Sequence, residues 1–175
     1  MVREVARLHG DDAPTIDELV ADWLPTVYAW CARLGAGRID AEEAAHDVMM
    51  LLVRKHAAIE GVERLPSWLF ATCRRVVANH RRRVWWQRWL PGVSLEQRIA
   101  PERTDGPADQ RELCERVARV LDRLSDEHRE VLVLCYFEER SVAEAAALLG
   151  LAEGTVKSRL YYARAKFQAR YGTEP

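Results

Sequence analysis

The sequence has little that would break a helix, no long apolar stretch and almost no net charge. Its longest uninterrupted apolar run, VLVLCYF at residues 131–137, falls far short of the roughly 20 residues a helix needs to cross a bilayer, so no membrane insertion is expected. The N-terminal MVREVARLHGDDAP contains no apolar core of the kind a secretory signal requires. The cysteines (Cys31, Cys73, Cys114, Cys135) are far apart, with no CxxC and no histidine at ligand spacing. That argues against a metal site and fits free thiols in a reducing cytoplasm, packed as small apolar side chains. No glycine-rich phosphate loop or metal motif is present, so no cofactor is expected. The 26 Lys and Arg nearly cancel the 27 Asp and Glu, giving a net charge of −1. A uniformly basic coat for nucleic acid is therefore excluded, and any polyanion site must come from charge segregated along the chain.

Proline is missing between Pro25 and Pro66 and again between Pro107 and Pro175. In these stretches apolar residues recur at three- and four-residue spacing, the signature of amphipathic helices. Leu19, Trp23, Val27 and Trp30 share one helical face, and Ala44, Val48, Leu51 and Leu52 share another. Leu69, Cys73, Val76 and Val77 mark a third. Asp40 and Glu43 have N-cap and N3 spacing, which predicts a helix from Ala41. Further on, Leu113, Val117, Val120, Leu121 and Leu124 repeat helically, and Ser125 precedes the acids Asp126 and Glu127 as an N-cap would. VLVLCYF alone suits a strand, but its setting in EHREVLVLCYFEER, without turn signals, favours a buried helix. No other segment is rich in strand formers, and the class is all-α.

Residues 91–109, PGVSLEQRIAPERTDGPAD, are the exception. Three prolines, two glycines and scattered charge leave little to bury. The window reads as a flexible linker joining two small helical domains, residues 1–90 and 110–175.

The near-zero total hides three blocks. Residues 70–90 hold six arginines (Arg74, Arg75, Arg81, Arg82, Arg83, Arg88) and no acid. Residues 155–172 hold Lys157, Arg159, Arg164, Lys166 and Arg170 and no acid. Residues 40–47 hold Asp40, Glu42, Glu43 and Asp47 without a Lys or Arg. Two acid-free helices in separate domains point to a polyanion partner.

The second basic block has a specific setting. Ser141-Val142-Ala143-Glu144 has the form of a capping box, so a helix starts at Val142. Gly150 supplies the left-handed residue that ends it. Leu151-Ala152-Glu153-Gly154 forms the turn, and residues 155–170 form the next helix with Val156 and Leu160 inward. A short helix, a glycine turn and a basic second helix make a helix-turn-helix, whose second helix enters the major groove. Thr155, Lys157, Ser158, Arg159 and Tyr162 would face base edges and phosphates. Around the first block, Trp68, Phe70, Trp85, Trp86 and Trp89 interleave with the arginines and Asn79. Flat rings beside cations suit unstacked single-stranded bases, though Phe70 and at least one of Trp85, Trp86 and Trp89 are expected to fill a core.

Three stretches in this order, DAEEAAHDVMMLLVRK (40–55), LPSWLFATCRRVVANHRRR (65–83) and LSDEHREVLVLCYFEERSVAEAAALLGLAEGTVKSRLYYARAKFQ (124–168), resemble a bacterial RNA polymerase sigma factor of the extracytoplasmic-function (ECF) group. EGTVKSRLYYARAK is the most specific piece. The resemblance implies a factor that binds core polymerase and directs promoter-specific initiation. Its first domain would dock on the clamp helices of the largest subunit through Asp40, Glu42, Glu43, Asp47 and Met50. It would read and open the minus-ten element, capturing a flipped base, through Arg64, Trp68, Arg74, Arg75, Asn79, Arg82 and Arg83. The second domain would read the duplex minus-thirty-five element through Thr155, Lys157, Ser158, Arg159, Tyr162, Arg164 and Lys166, beside the flap of the second-largest subunit. An anti-sigma factor is a further implied partner. The family helix usually carries Asn after an Arg where this chain has Arg75, and Asn79 is expected to take over part of that polar role. The WWQRW cluster either completes the first core or docks an inhibitor.

Two other readings remain open from the residues. A stand-alone helix-turn-helix regulator with an N-terminal sensor domain would bind duplex tightly without polymerase. A recombinase would use Tyr161 or Tyr162 as nucleophile, but no His and Arg constellation accompanies them, and His46 beside Asp47 reads as a surface pair.

Overall fold

The computed structural model describes residues 14–35, 37, 39–59, 62–87 and 108–173. Among them are seven α-helices: α1 (Ile16–Gly35), α2 (Ala41–Lys55), α3 (Leu65–Gln87), α4 (Ala108–Asp122), α5 (Asp126–Leu132), α6 (Val142–Leu149) and α7 (Glu153–Tyr171). No described residue is in a strand. Residues 88–107 lie outside the described set, and with them most of the expected linker at 91–109, as do Trp89 and the side chains of Trp85 and Trp86; Ala108 and Asp109, expected in that linker, begin α4 instead.

The first three helices pack mutually around Trp30, which is 1% exposed and meets the Phe70 ring edge-on at 5.0 Å. Leu19, Val27, Ala44, Val48, Leu52, Leu69, Cys73, Val76 and Val77 close the core, while Trp23 and Leu51 are half-buried at its rim. The corner between α1 and α2 is tight. A Cβ on Gly35 would stand 2.5 Å from the Ile39 Cγ1, so any larger residue there would force the buried Ile39 side chain to shift. As expected, Asp40 caps α2, its Oδ1 accepting from the Glu42 and Glu43 amides at 2.9 and 3.0 Å.

The second bundle forms from α4 to α7. Four consecutive residues, Val131 to Leu134, are buried. An α-helix places successive residues 100° apart, so such burial needs packing on every side. The chain here leaves α-geometry for a π-helical turn at Val133–Phe137, where the Glu138 amide bonds the Val133 carbonyl at 3.0 Å. Leu113 and Cys114 of α4 are exposed, against the expectation that both pack inward. The helical repeat there begins to touch the core only from Val117 onward. α7 starts at Glu153 rather than Thr155, so Glu153 and Gly154 belong to its first turn.

The two bundles also touch each other, which the sequence reading did not address. α3 packs on α6, and α1 touches α5 and the π turn. The buried apolar residues of both bundles form one continuous cluster. Linker composition reports only on the chain between two bodies, and the adhesion of their faces is a separate matter.

At the junction sits Arg129, 2% exposed. Its Nε and two amino groups reach the carbonyls of Leu121, Asp122 and Leu124, the carboxylate of Asp126, and the Leu34 carbonyl of α1. Five N–H groups thus meet five acceptors, and the cation closes the C-terminal end of α4, where its dipole is negative. Burial lowers the guanidinium's pKa, with Arg81 nearby acting in the same direction.

Candidate nucleic-acid interface

The arginines of α3 divide between two faces. Arg75, Asn79, Arg82 and Arg83, spaced i, i+4, i+7 and i+8, are all exposed and form one polar stripe. Within it the Arg82 guanidinium donates to the Asn79 carbonyl oxygen at 3.0 Å, and Arg83 lies 3.5 Å from Glu43. Arg74 and Arg81 point to the second bundle instead. Arg74 pairs with Glu130 at 2.6 Å, and Arg81 donates to the Asp122 carboxylate at 2.9 Å and the Gly35 carbonyl at 2.8 Å. Burial pushes the Glu130 carboxyl up, opposed by Arg74. Trp68 is half-buried against the core at the first turns of α3, and Arg64 is exposed on the short turn Val62–Arg64 just before it.

The acidic start of α2 serves two purposes. Asp40 is half-buried and caps the helix through its bonds to the Glu42 and Glu43 amides. Glu42, Glu43, Asp47 and Met50 are exposed, with Val53 beside them, and Val48, Met49 and Leu52 face inward. Asp47 also accepts from His80 Nε2 at 2.8 Å, and Glu43 Oε2 lies 3.8 Å from His80 Nδ1. His80, 9% exposed, ties α2 to α3. The sequence reading assigned it nothing, because its partner lies 33 residues away.

The helix-turn-helix is built as its residues dictate. Ser141 Oγ accepts from the Glu144 amide, while the Glu144 carboxylate accepts from the Ser141 amide at 2.9 Å and its hydroxyl at 2.7 Å. Those bonds hold the Glu144 carboxyl below the usual carboxylate range. Gly150 ends α6 at φ +66°, and the Leu151 amide reaches back to the Ala146 carbonyl at 3.0 Å. On α7, Val156, Leu160 and Ala163 are buried, whereas Thr155, Lys157, Ser158, Tyr161, Tyr162, Arg164 and Lys166 are exposed. Arg159 is only half-exposed and pairs with Glu127 of α5 at 3.1 Å. Arg164 lies over the Tyr136 ring at 5.1 Å. Lys166 Nζ stands 3.5 Å from the His128 ring, whose pKa is lowered first by burial and then by that lysine.

Two exposed cation-rich faces thus come from two helices in two bundles, and an acid-and-methionine face from a third helix. Among the described residues no group of three or more His, Cys, Asp or Glu could hold a metal, and no helix is long and apolar enough to cross a membrane. The buried Cys31 and Cys73 lie together in the first core, and Cys73's thiol is pushed up by its hydrogen bond with Cys31 and by burial, which leaves it unreactive.

Known proteins resemble this chain in sequence and fold. Residues 19–87 match the family Sigma-70 region 2, and residues 114–167 match Sigma-70, region 4. The ECF RNA polymerase sigma factor SigL of Mycobacterium tuberculosis is 30% identical over 166 residues, covering 91% of this chain and 92% of SigL. The RNA polymerase sigma-E factor of Streptomyces avermitilis is 33% identical over 138 residues, covering 78% of this chain and 73% of that protein. Among solved structures, the sigma factor RpoE from Bartonella quintana, in complex with the anti-sigma factor NepR, is 27% identical with a TM-score of 0.68, covering 91% of this chain and 98% of that one. The chain belongs to the ECF group of RNA polymerase sigma factors, which direct promoter-specific initiation of transcription.

Proposed function

We propose a division of labour among the three faces. Residues 1–90 dock on the clamp helices of core polymerase through Asp40, Glu42, Glu43, Asp47 and Met50. The same domain holds the minus-ten element through the stripe Arg75, Asn79, Arg82 and Arg83, with Arg64, Trp68 and Arg74 beside it. Residues 91–109 connect the domains. Residues 110–175 read the duplex minus-thirty-five element through Thr155, Lys157, Ser158, Arg159, Tyr162, Arg164 and Lys166. The observation that carries this reading is the acid-free, exposed stripe on α3 paired with the exposed hydroxyl and basic face of α7. Phosphate contacts from such a stripe give affinity and register, and side chains aimed at base edges give selectivity. The chain works in the cytoplasm, where polymerase is, and catalyses no reaction of its own. An anti-sigma factor is its expected inhibitor, as NepR is a partner of RpoE.

Core polymerase supplied with this chain and a random-sequence template library should yield transcripts whose templates share two motifs. Arg159→Ala should weaken initiation by about 1–3 kcal/mol and relax the upstream motif at one position, as loss of a bidentate guanine contact does. Equal loss on every template would make Arg159 a phosphate contact. Asp47→Lys should lower retention on polymerase in a pull-down while the circular dichroism stays unchanged. The stand-alone regulator predicts instead tight, sequence-selective duplex binding without polymerase.

A further inference from the structure

One edge of the helix-turn-helix is shared with a helix outside it. Thr155, Arg159, Tyr162 and Lys166 follow at spacings of four, three and four, so they form one stripe along α7. That stripe borders α5, where Arg159 pairs with Glu127 at 3.1 Å and Lys166 Nζ stands 3.5 Å from His128 Nδ1. Lys157 and Arg164 lie about 200° around the axis from Arg159 and Lys166, on the opposite flank.

Lys166 differs from its neighbours in what it meets. Lys157 has Glu153 at 3.6 Å, Arg159 has Glu127, and Arg164 has the Tyr136 ring. Among the described residues Lys166 meets only the half-buried His128 ring. The same ring nitrogen lies 2.7 Å from the hydroxyl of Ser125. Ser125 is the N-cap residue of α5, yet its side chain makes no capping bond and is turned to the histidine instead. An ammonium beside Nδ1 requires a lone pair there, so in the free chain the ring is neutral and Nδ1 accepts. The charged groups that face the ring are Lys166, Arg159 and Arg170 from α7 and Glu127 from its own helix, and Glu127 is already paired with Arg159. A hydroxyl, an ionisable ring and an ammonium thus gather where the nearest carboxylate is engaged elsewhere. An anion between Lys166 and Nδ1 would turn this opposed pair into a cooperating one.

The groove supplies such an anion. The major groove is about 12 Å wide, and a helix with its side chains is about 10–12 Å across. A helix lying in the groove therefore presses its flanks against the sugar-phosphate strands, and the α5 edge is such a flank. We propose that Ser125, His128 and Lys166 form a binding site for one backbone phosphate of the minus-thirty-five duplex, supplied jointly by α5 and α7. As the phosphate arrives between Lys166 Nζ and His128 Nδ1, the ring takes up a proton from solvent at Nδ1. Ring and ammonium then both donate to the phosphate, and the Ser125 hydroxyl turns to donate to it as well. The contact fixes the register of α7 and carries no base selectivity of its own. It rests on reading α7 as the promoter-contacting helix of the second domain.

The test uses core polymerase loaded with the full chain, on a promoter recovered from the template library. Ser125→Ala and His128→Ala should each weaken promoter binding about three-fold, by the same factor on every sequence. Ser125→Ala removes no capping bond, so its effect is not one of folding. Lys166→Gln should lower the slope of log affinity against log salt by about one. Wild-type binding should tighten as pH falls from 8 to 6, because the ring binds its proton more strongly beside the phosphate. His128→Gln, which keeps a donor but cannot titrate, should retain most of the affinity and lose that part of the pH dependence. In the free chain, NMR should show the His128 midpoint rising on addition of a mixed-sequence duplex and staying in place with inorganic phosphate at the same phosphate concentration. Unchanged affinity for Ser125→Ala and His128→Ala, where Lys157→Ala on the opposite flank weakens binding, overturns the site. A midpoint that moves as far with inorganic phosphate as with the duplex makes the ligand a free anion and overturns the DNA contact. If Lys157→Ala, Lys166→Gln and His128→Ala are all without effect, the reading of α7 itself fails, and the site falls with it.

Discussion

The two bundles are held together by opposite means. The first is centred on a large apolar contact, Trp30 against Phe70, and tolerates a buried indole N–H with no hydrogen-bond partner. The second is lined by small and branched residues such as Val131, Val133, Ala145, Val156 and Ala163, and takes its order from one buried guanidinium with every N–H satisfied. Apolar volume is forgiving about direction, because dispersion and hydrophobic burial have no preferred geometry. A buried cation is unforgiving, because each unmet donor or abandoned carbonyl carries its own desolvation cost.

That contrast is tested most strongly by Trp30→Ala. The variant should lose about 4 kcal/mol in urea unfolding, the range for removing a large buried aromatic. Trp30→Phe should lose far less, since it keeps much of the volume and discards the orphan N–H. A small loss for Trp30→Ala would mean the first core can collapse around the gap. Arg129→Met comes next. It should cost about 3 kcal/mol by thermal or chemical unfolding, because the carbonyls of Leu121, Asp122 and Leu124 are left without their donor. Arg129→Lys should rescue little, since an ammonium cannot fork to five acceptors. Full rescue by lysine would show that charge at the end of α4 matters more than geometry.

The smallest effects lie at the cap of α6. Ser141→Ala should cost about 1 kcal/mol. The Glu144 carboxyl titrates below its ordinary value because the Ser141 hydroxyl and amide donate to its ionised form. The stabilisation it gives is therefore fully present above the unfolded-state carboxylate value and is lost as pH falls through the lowered one. Thermal unfolding between pH 7 and 3 should show Glu144→Gln losing less stability on acidification than the wild type. A carbon-detected NMR titration should place the Glu144 midpoint below that of an exposed glutamate.

What could be read from the sequence was local. The Asp40 cap, the Ser141 capping box, the left-handed Gly150 and the inward Val156 and Leu160 depend on partners within a turn or two, so residue order contains them. The basic stripe of α3 was legible as a block of charge but not as two faces. Which arginines turn inward depends on Glu130, 56 residues beyond Arg74, and Asp122, 41 beyond Arg81. His80 and Arg129 escaped for the same reason. A lone histidine or arginine in a helical pattern carries no mark of a partner supplied by distant chain. The π turn was legible as a buried helix, but its extra residue per turn responds to packing on all sides.

Arg129 spends four of its five bonds on its own bundle and only one on the Leu34 carbonyl of α1. Swinging the bundles apart would hand that single carbonyl back to solvent and leave the rest of the rivet in place. The order around Arg129 is therefore internal to the second bundle, and the contact with the first adds one bond to it.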